Sequence, residues 1–244
     1  MKILVVGGGG REHAIVWKIA QSPKVDKIYC APGNGGIAEL AEWVDIAATD
    51  IENMVKFAKD NAIDLVMVAP DDPLVLGMVD AMEKEGIRAF GPRANAAIIE
   101  GSKAFSKELM KKYNIPTANY EVFTDSTSAI DYIKAQNTFP TVIKADGLAL
   151  GKGVIIAQNL EEAEQAVHEM IDDGKFGKSG SRVVIEEFLT GPEVSVLAFT
   201  DGKTVKPMVS AQDHKRVYDN DKGLNTGGMG TFSPSRLYLS LIHI

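Results

Sequence analysis

Apolar residues in the first hundred positions follow two rhythms. Brief, β-branched-rich runs at 2–6, 27–31, 64–69 and 87–90, each closed by glycine or proline, read as buried strands. Between them, residues 11–21, 51–61 and 73–85 set apolar side chains three and four apart, the spacing of a helix with one face on a core. Strand and helix alternate, which predicts an α/β fold with a parallel sheet, a Rossmann-like unit.

The pattern changes at Gly101-Ser102. Ser102 is placed to cap a helix running to about Tyr113, which Asn114-Ile115-Pro116 ends. The domain boundary is expected there, giving domains 1–101 and 102–234. In the second half, strands are expected at 141–145, 153–157, 182–186 and 193–199, with helices at 124–136 and 159–172, the latter opened by the capping pair Asn159 and Glu162. This half reads as α+β, with a glycine-rich loop joining two strands in a flap of about 121–190. Residues 210–234 are polar and glycine-dense, the composition of a functional loop. Residues 235–244 are apolar without helical amphipathicity and are expected to form an exposed, poorly packed end.

Composition narrows the class. At 244 residues, 45% hydrophobic and 24% charged, the chain has ordinary globular make-up. A net charge of -7 argues against nucleic acid, which attracts a basic face. An anionic ligand would need a local basic pocket. Cys30 is the single cysteine, so an internal disulfide and a cysteine-based zinc site are both excluded, and a buried thiol is expected. No run of about 20 apolar residues suits a membrane span, and the start lacks a signal-peptide pattern. A soluble, cytoplasmic protein is the expectation.

Five groups of residues carry candidate chemistry. Gly7-Gly8-Gly9-Gly10-Arg11-Glu12-His13 joins a strand to a helix and turns backbone N–H groups toward an anion. The dinucleotide fingerprint fails in it, because Glu12 stands where the third glycine belongs and the second strand ends in Cys30-Ala31-Pro32 without a ribose-binding acid. A nicotinamide-dependent oxidoreductase is therefore a minor alternative. The loops Pro32-Gly33-Asn34-Gly35-Gly36 and Pro70-Asp71-Asp72-Pro73 leave strands on the same sheet edge, where open α/β sheets bind ligands. The stretch from Val142 to Ile156 carries Lys144 and Lys152 about a glycine loop with Gly147, Gly151 and Gly153. It departs from the Walker pattern in spacing and in lacking the Ser/Thr after Lys152, so a strand-loop-strand flap over phosphates is the reading. Downstream, Glu186-Glu187-Phe188-Leu189 and Glu193 put acids beside an apolar strand, as a nucleoside would require. Finally, Asp213-His214-Lys215-Arg216 and Asn225-Thr226-Gly227-Gly228 combine cationic and amide donors with glycines that permit close approach of a polar anionic substrate.

In order, GGGGREHA, EGSKAFSK, VIKADGLALGKGV, VIEEFLTGPE, QDHKR and NTGGMGTFSP resemble the phosphoribosylamine-glycine ligases, which are ATP-grasp enzymes; the likeness runs from Met1 to about Pro234. The resemblance implies a Rossmann-like N-terminal domain followed by an incomplete α+β ATP-grasp domain. It implies ATP-dependent joining of glycine to 5-phosphoribosylamine through a glycyl phosphate, in de novo purine biosynthesis, with Mg2+ or Mn2+ in the full-length family. By family position, Lys103, Lys144, Gly147, Gly151, Lys152 and Gly153 hold the ATP phosphates, Glu186 and Leu189 meet adenine through their backbones with Glu187 and Phe188 also in the ATP site, and Glu193 meets the ribose. Gly8, Gly9, Gly10, Arg11, Glu12, Asn34, Asp213, His214, Lys215, Arg216, Asn225, Thr226, Gly227 and Gly228 face phosphoribosylamine and glycine.

No protein nucleophile is implied. The family's metal ligands are expected beyond residue 244, and the tail from Ser235 does not resemble the family's continuation, so a truncated chain with little or no turnover is expected. A nucleotide-binding fragment without catalysis, or another ATP-grasp carboxylate-amine ligase, is the alternative.

Overall fold

The structure, a computed structural model, describes residues 1–148, 153–220 and 222–238. The chain divides into two compact units, residues 1–117 with 146–148, and residues 118–145 with the chain that follows 148.

The first unit contains β1 (Lys2–Gly7), α1 (Gly10–Ala20), β2 (Lys27–Pro32), β3 (Glu42–Trp43), α2 (Ile51–Asp60), β4 (Leu65–Val68), α3 (Asp71–Val75), α4 (Met78–Lys84), β5 (Ala89–Phe90), α5 (Ala94–Gly101) and α6 (Lys103–Lys112). Its five strands are parallel in the order β3-β2-β1-β4-β5. Side chains alternate across a strand, so β1 serves two cores. Leu4 and Val6 pack with Met54 and Ala58 of α2 and Met78, Val79 and Met82 of α4. Ile3 and Val5 pack with Val16 of α1, Ile28 and Cys30. Both sheet faces are covered, which explains why the strands read as continuous apolar runs.

The helix expected over 73–85 is broken. α3 and α4 part at Gly77, whose φ of +89° lies in the left-handed region and stops the helical hydrogen-bond ladder. The two-residue β3 and the helix α5 had no reading in the sequence. α6 begins where expected, with the Ser102 hydroxyl accepting the Phe105 N–H at 3.1 Å, but it clusters with the first unit rather than the second.

The second unit contains β6 (Tyr120–Phe123), α7 (Ser126–Gln136), β7 (Thr141–Ala145), β8 (Val154–Ala157), α8 (Leu160–Ile171), β9 (Val183–Glu187), β10 (Ala198–Thr200), β11 (Val205–Pro207), β12 (Gln212–Tyr218) and β13 (Lys222–Phe232). Four strands form an antiparallel sheet in the order β6-β9-β7-β8. Ile143, Ala145, Ala157, Val183 and Ile185 pack on one face against Ala129 and Ile133 of α7 and Ala163, Val167 and Met170 of α8. Asn159 caps α8 by accepting the Glu162 N–H at 2.9 Å, as its sequence suggests.

Two expectations for the later chain are overturned, and a third departs from the structure at one residue. The strand expected at 193–199 is regular only over Ala198–Thr200, which pairs with β11, while Ser195 makes an isolated bridge to Ala211. Residues 210–234, expected as a loop, are mostly a two-stranded hairpin of β12 and β13, because backbone pairing needs no apolar side chains. Asn220, with φ +59°, supplies a left-handed residue in the turn, and Gly223, with φ +84°, another just inside β13. The end expected to be exposed begins with a buried residue: Ser235 is fully enclosed and donates its N–H to the Ser210 carbonyl at 3.2 Å. Residues 236–238 are helical, and residues 239–244 lie outside those described.

Candidate nucleotide and substrate site

In the first unit, β1 ends in Gly7 and α1 starts at Gly10, so the Gly8-Gly9 link is a tight strand-to-helix turn. Gly7 has a φ of +121°, and a Cβ there would lie 2.5 Å from Glu12 Cγ. A Cβ on Gly8 would lie 2.5 Å from the Gly33 carbonyl oxygen. Glycine is therefore dictated at both positions, by backbone conformation at one and by close approach of a neighbouring loop at the other.

Glu12 replaces the fingerprint's third glycine for a reason visible in the packing. Its side chain is buried, and its Oε2 accepts the Gly9 N–H at 2.6 Å. One orphan donor of the helix end is thus satisfied internally. Gly10 and Arg11, in the exposed first turn, are left by helix geometry without intrahelical acceptors for their N–H groups, and the positive end of α1 favours an anion beside them. Asn34 is also turned inward: its Nδ2 donates to the Gly8 carbonyl at 2.9 Å, and its Oδ1 accepts the Ile37 N–H at 2.9 Å. Both side chains hold the loop's shape. The 70–73 loop arrives on the same edge, with Pro70 Cγ 2.9 Å from the position of a Gly7 Cβ. The loops after β1, β2 and β4 meet at the carboxyl ends of parallel strands, where the strand order reverses about β1.

Cys30 lies beneath this loop, its thiol 3.3 Å from the Gly7 carbonyl. Burial is the main cause that pushes the thiol up to about 11, and the Glu12 charge adds to it. It is a structural side chain, as the sequence suggests.

Also in the first unit, Lys103 begins α6 and its Nζ donates to the Gly147 carbonyl at 2.9 Å. Asp146, which sequence reasoning passed over, is buried and accepts from the Ala104 N–H at 2.7 Å and the Ser102 hydroxyl at 3.0 Å. A signal was present: the first turn of α6 carries a lysine and no acid, so a carboxylate from elsewhere is needed to balance the helix end.

In the second unit, Lys144 and Glu186 project from the face of the four-stranded sheet turned away from α7 and α8. Lys144 Nζ donates to Glu186 Oε2 at 2.9 Å, and Glu186 is only 6% exposed. Val142, Val154, Ile156 and Val184 share that face by alternation, the first and last buried and the other two half-buried. Glu186 lies within the ladder, opposite Tyr120 on one side and Val142 on the other. Glu187 has its carboxylate engaged by the Asn119 N–H at 3.1 Å and Nδ2 at 2.9 Å, a clamp not foreseen from sequence. Phe188 and Leu189 follow the strand end and are exposed. Gly153 opens β8, its carbonyl accepting the Ala145 N–H at 2.8 Å; Gly151 and Lys152 lie outside the described residues.

The hairpin of β12 and β13 gathers the later candidates. Arg216 stands opposite Asn225, and His214 opposite Gly230, with register shifts on either side of Arg216. Thr226 Oγ1 donates to the Lys215 carbonyl at 2.8 Å and accepts the Gly228 N–H at 3.1 Å. Arg216 Nη1 donates to the Gly223 carbonyl at 2.6 Å. Lys215 reaches Glu193 at 3.4 Å and Asp213 at 3.5 Å, bringing the expected ribose acid beside the expected substrate lysine. Burial lowers the Lys215 pKa, but Glu193 and Asp213 outweigh it and leave the ammonium above its ordinary value. For the side chain of Asn225 and for Gly227, the hairpin supplies backbone position only.

A parallel α/β unit with glycine loops at its carboxyl edge, and a helix-backed antiparallel sheet carrying a glycine hairpin, define an ATP-grasp protein. Residues 101–240 match the family model described as the phosphoribosylglycinamide synthetase ATP-grasp (A) domain, and residues 1–100 match the N domain of the same synthetase. The chain belongs to the phosphoribosylglycinamide synthetase family.

It is 54% identical over 245 aligned positions to the phosphoribosylamine–glycine ligase of Haemophilus influenzae, covering all of this chain and 57% of that protein. The crystal structure of the Thermotoga maritima phosphoribosylamine–glycine ligase superposes with a TM-score of 0.81 at 32% identity, over 96% of this chain and 56% of that one. A biotin carboxylase domain from Hydrogenobacter thermophilus shares the fold, with a TM-score of 0.73 at 18% identity over 91% of this chain and 51% of that one. The chain thus spans a little over half the length of the relatives it matches. Among the described residues no helix is long and apolar enough to cross a membrane.

Proposed function

We propose that this chain supplies the nucleotide- and phosphoribosylamine-binding parts of an ATP-dependent ligase that joins glycine to 5-phosphoribosylamine. What supports this most is the match to both family domains, over residues 1–100 and 101–240, together with the glycine loops that the fold sets at helix and strand ends. The γ-phosphorus of ATP is attacked by a glycine carboxylate oxygen and ADP leaves. The amine nitrogen of phosphoribosylamine then attacks the acyl carbon of glycyl phosphate; the C–O bond to phosphate breaks and the nitrogen loses a proton, giving glycinamide ribonucleotide.

Each group named has a physical task. Lys103, Lys144 and the glycine N–H groups of the flap, Gly147 to Gly153 with Lys152, offset phosphate charge, as oriented donors and cations do in phosphoryl transfer. The half-buried Val154 and Ile156 on the sheet face of Lys144 suit the base, with Glu186 to Leu189 offering backbone groups and Glu193 a ribose acceptor. The Gly8–Arg11 turn takes the 5-phosphate at the α1 N-terminus. Asp213 to Arg216 and Asn225 to Gly228 orient the amine and the glycine, so the chemistry rests on positioning rather than on a protein nucleophile. Among the described residues no three His, Cys, Asp or Glu side chains gather as metal ligands. Magnesium and manganese remain candidate ions for the whole enzyme, and a cytoplasmic site of action follows from the same reading.

Calorimetric titration with ATP and, separately, with ribose 5-phosphate tests the two binding parts. Both are expected to saturate in this chain, whereas ADP release in a mixture of ATP, magnesium, glycine and phosphoribosylamine is expected to be little or none from the chain alone and, in the whole ligase, to stop when either co-substrate is omitted. Failure of ATP to bind, or ADP release indifferent to glycine, rejects the proposal.

A further inference from the structure

Asp146 is the first residue after β7, yet it clusters with the first unit. Its carboxylate is buried at the start of α6, where Oδ1 accepts the Ala104 N–H at 2.7 Å and the Ser102 hydroxyl points at Oδ1 and Oδ2 from 3.0 and 3.2 Å. Ser102 Oγ in turn accepts the Phe105 N–H at 3.1 Å. The Asp146 carbonyl accepts the Lys103 N–H at 3.0 Å, and the next carbonyl, that of Gly147, accepts Lys103 Nζ at 2.9 Å. All of these contacts but the Ser102–Phe105 bond join residues 146–147 to residues 102–104.

A helix start carries orphan N–H groups and partial positive charge, and here a lysine adds a full charge beside it. A buried carboxylate at that point compensates the helix end through charge-assisted bonds, about twice as strong as neutral ones. We propose that Asp146 is a positioning residue for the nucleotide's phosphates: it holds the start of α6 against 146–147, so that the Lys103 ammonium and the Gly147 backbone are set before the polyphosphate arrives. This rests on the nucleotide-binding reading above. Preorganisation of this kind lowers the ordering cost that binding would otherwise bear.

The test compares ATP with AMP, which shares base and ribose but lacks the β- and γ-phosphates. Affinities are read by displacement of a fluorescent ATP analogue from the chain and from Asp146→Asn and Ser102→Ala, with melting curves run alongside. Asp146→Asn keeps the shape and loses the charge, so ATP affinity is expected to fall about tenfold, the loss of one charge-assisted hydrogen bond, with AMP affinity nearly unchanged. Ser102→Ala is expected to cost ATP about threefold, as for a neutral bond. Should Asp146→Asn fail to fold, Ser102→Ala decides. An ATP-to-AMP affinity ratio unchanged from wild type overturns the proposal, whether both nucleotides weaken equally or neither does. If the unsubstituted chain binds no ATP, the nucleotide reading itself is rejected and this inference goes with it.

Discussion

Lys144 reaches Glu186 at 2.9 Å, and the carboxylate it meets is almost fully enclosed. Each side chain stood in the sequence as a ligand candidate, but the alternation that puts them on one sheet face across neighbouring strands could not be paired from sequence. Removing the cation takes a charged partner from a buried carboxylate, so Lys144→Met is expected to destabilise the second unit by about 3 kcal/mol in urea denaturation, with part recovered in Lys144→Met/Glu186→Leu. A single substitution within experimental error of wild type would refute the pairing. Cys30 makes the opposite case, since the sequence alone suggested a buried thiol. With its thiol held at about 11, only about one molecule in a thousand carries the thiolate at pH 8. Iodoacetamide labelling followed by mass spectrometry is expected to be slow in the native chain at pH 8, rapid after denaturation, and in the folded state to rise with pH and level off only near 11.

Helices with strong local signals were legible to within a residue or two. α8 was read from Asn159, Glu162 and an apolar stripe, and the structure shows the Asn159 cap made at 2.9 Å. Asn159→Ala is therefore expected to cost about 1 kcal/mol and Asn159→Asp close to nothing, by chemical denaturation. Where local signal conflicted with tertiary demand, reading failed. The apolar periodicity over 73–85 continues through Gly77, and only the left-handed backbone there reveals two helices. β12 and β13 were read as loop because glycines and charges carry no strand rhythm; their pairing comes from backbone bonds that composition does not encode.

The two units differ in how their strands are protected. The parallel sheet of the first is covered on both faces, whereas β10 with β11 and β12 with β13 form separate two-stranded sheets, which are marginal without further packing. Val194, Val196, Leu197, Phe199, Val205 and Val209 are exposed beside them. Limited proteolysis is expected to cut first after Glu187 and to leave a resistant fragment containing residues 1–117, identified by mass; earlier loss of the amino-terminal unit would contradict this. Acid sensitivity is also a property of the whole chain. Asp50, Glu85, Glu169, Asp172 and Asp201 are held below their ordinary pKa chiefly by hydrogen bonds from Asn53, Lys59, Lys175, His168 and Thr204 respectively. Their folded pKa values lie under the unfolded ones, so the stabilisation is complete above about pH 4 and is lost as pH falls through the depressed values. Circular dichroism is expected to show a flat response from pH 8 to 5 and unfolding only below about 4, with salt weakening these exposed pairs. By itself the sequence determined the strand-helix alternation, the helix caps, the buried thiol and the order of glycine and lysine motifs, because each is a local pattern of residue type. Tertiary structure decided which charges meet, that Glu12 and Asn34 turn inward, that Asp146 belongs with α6, and that a glycine-rich stretch becomes a hairpin, because each depends on contacts between residues distant in the chain or on backbone angles that residue type only permits.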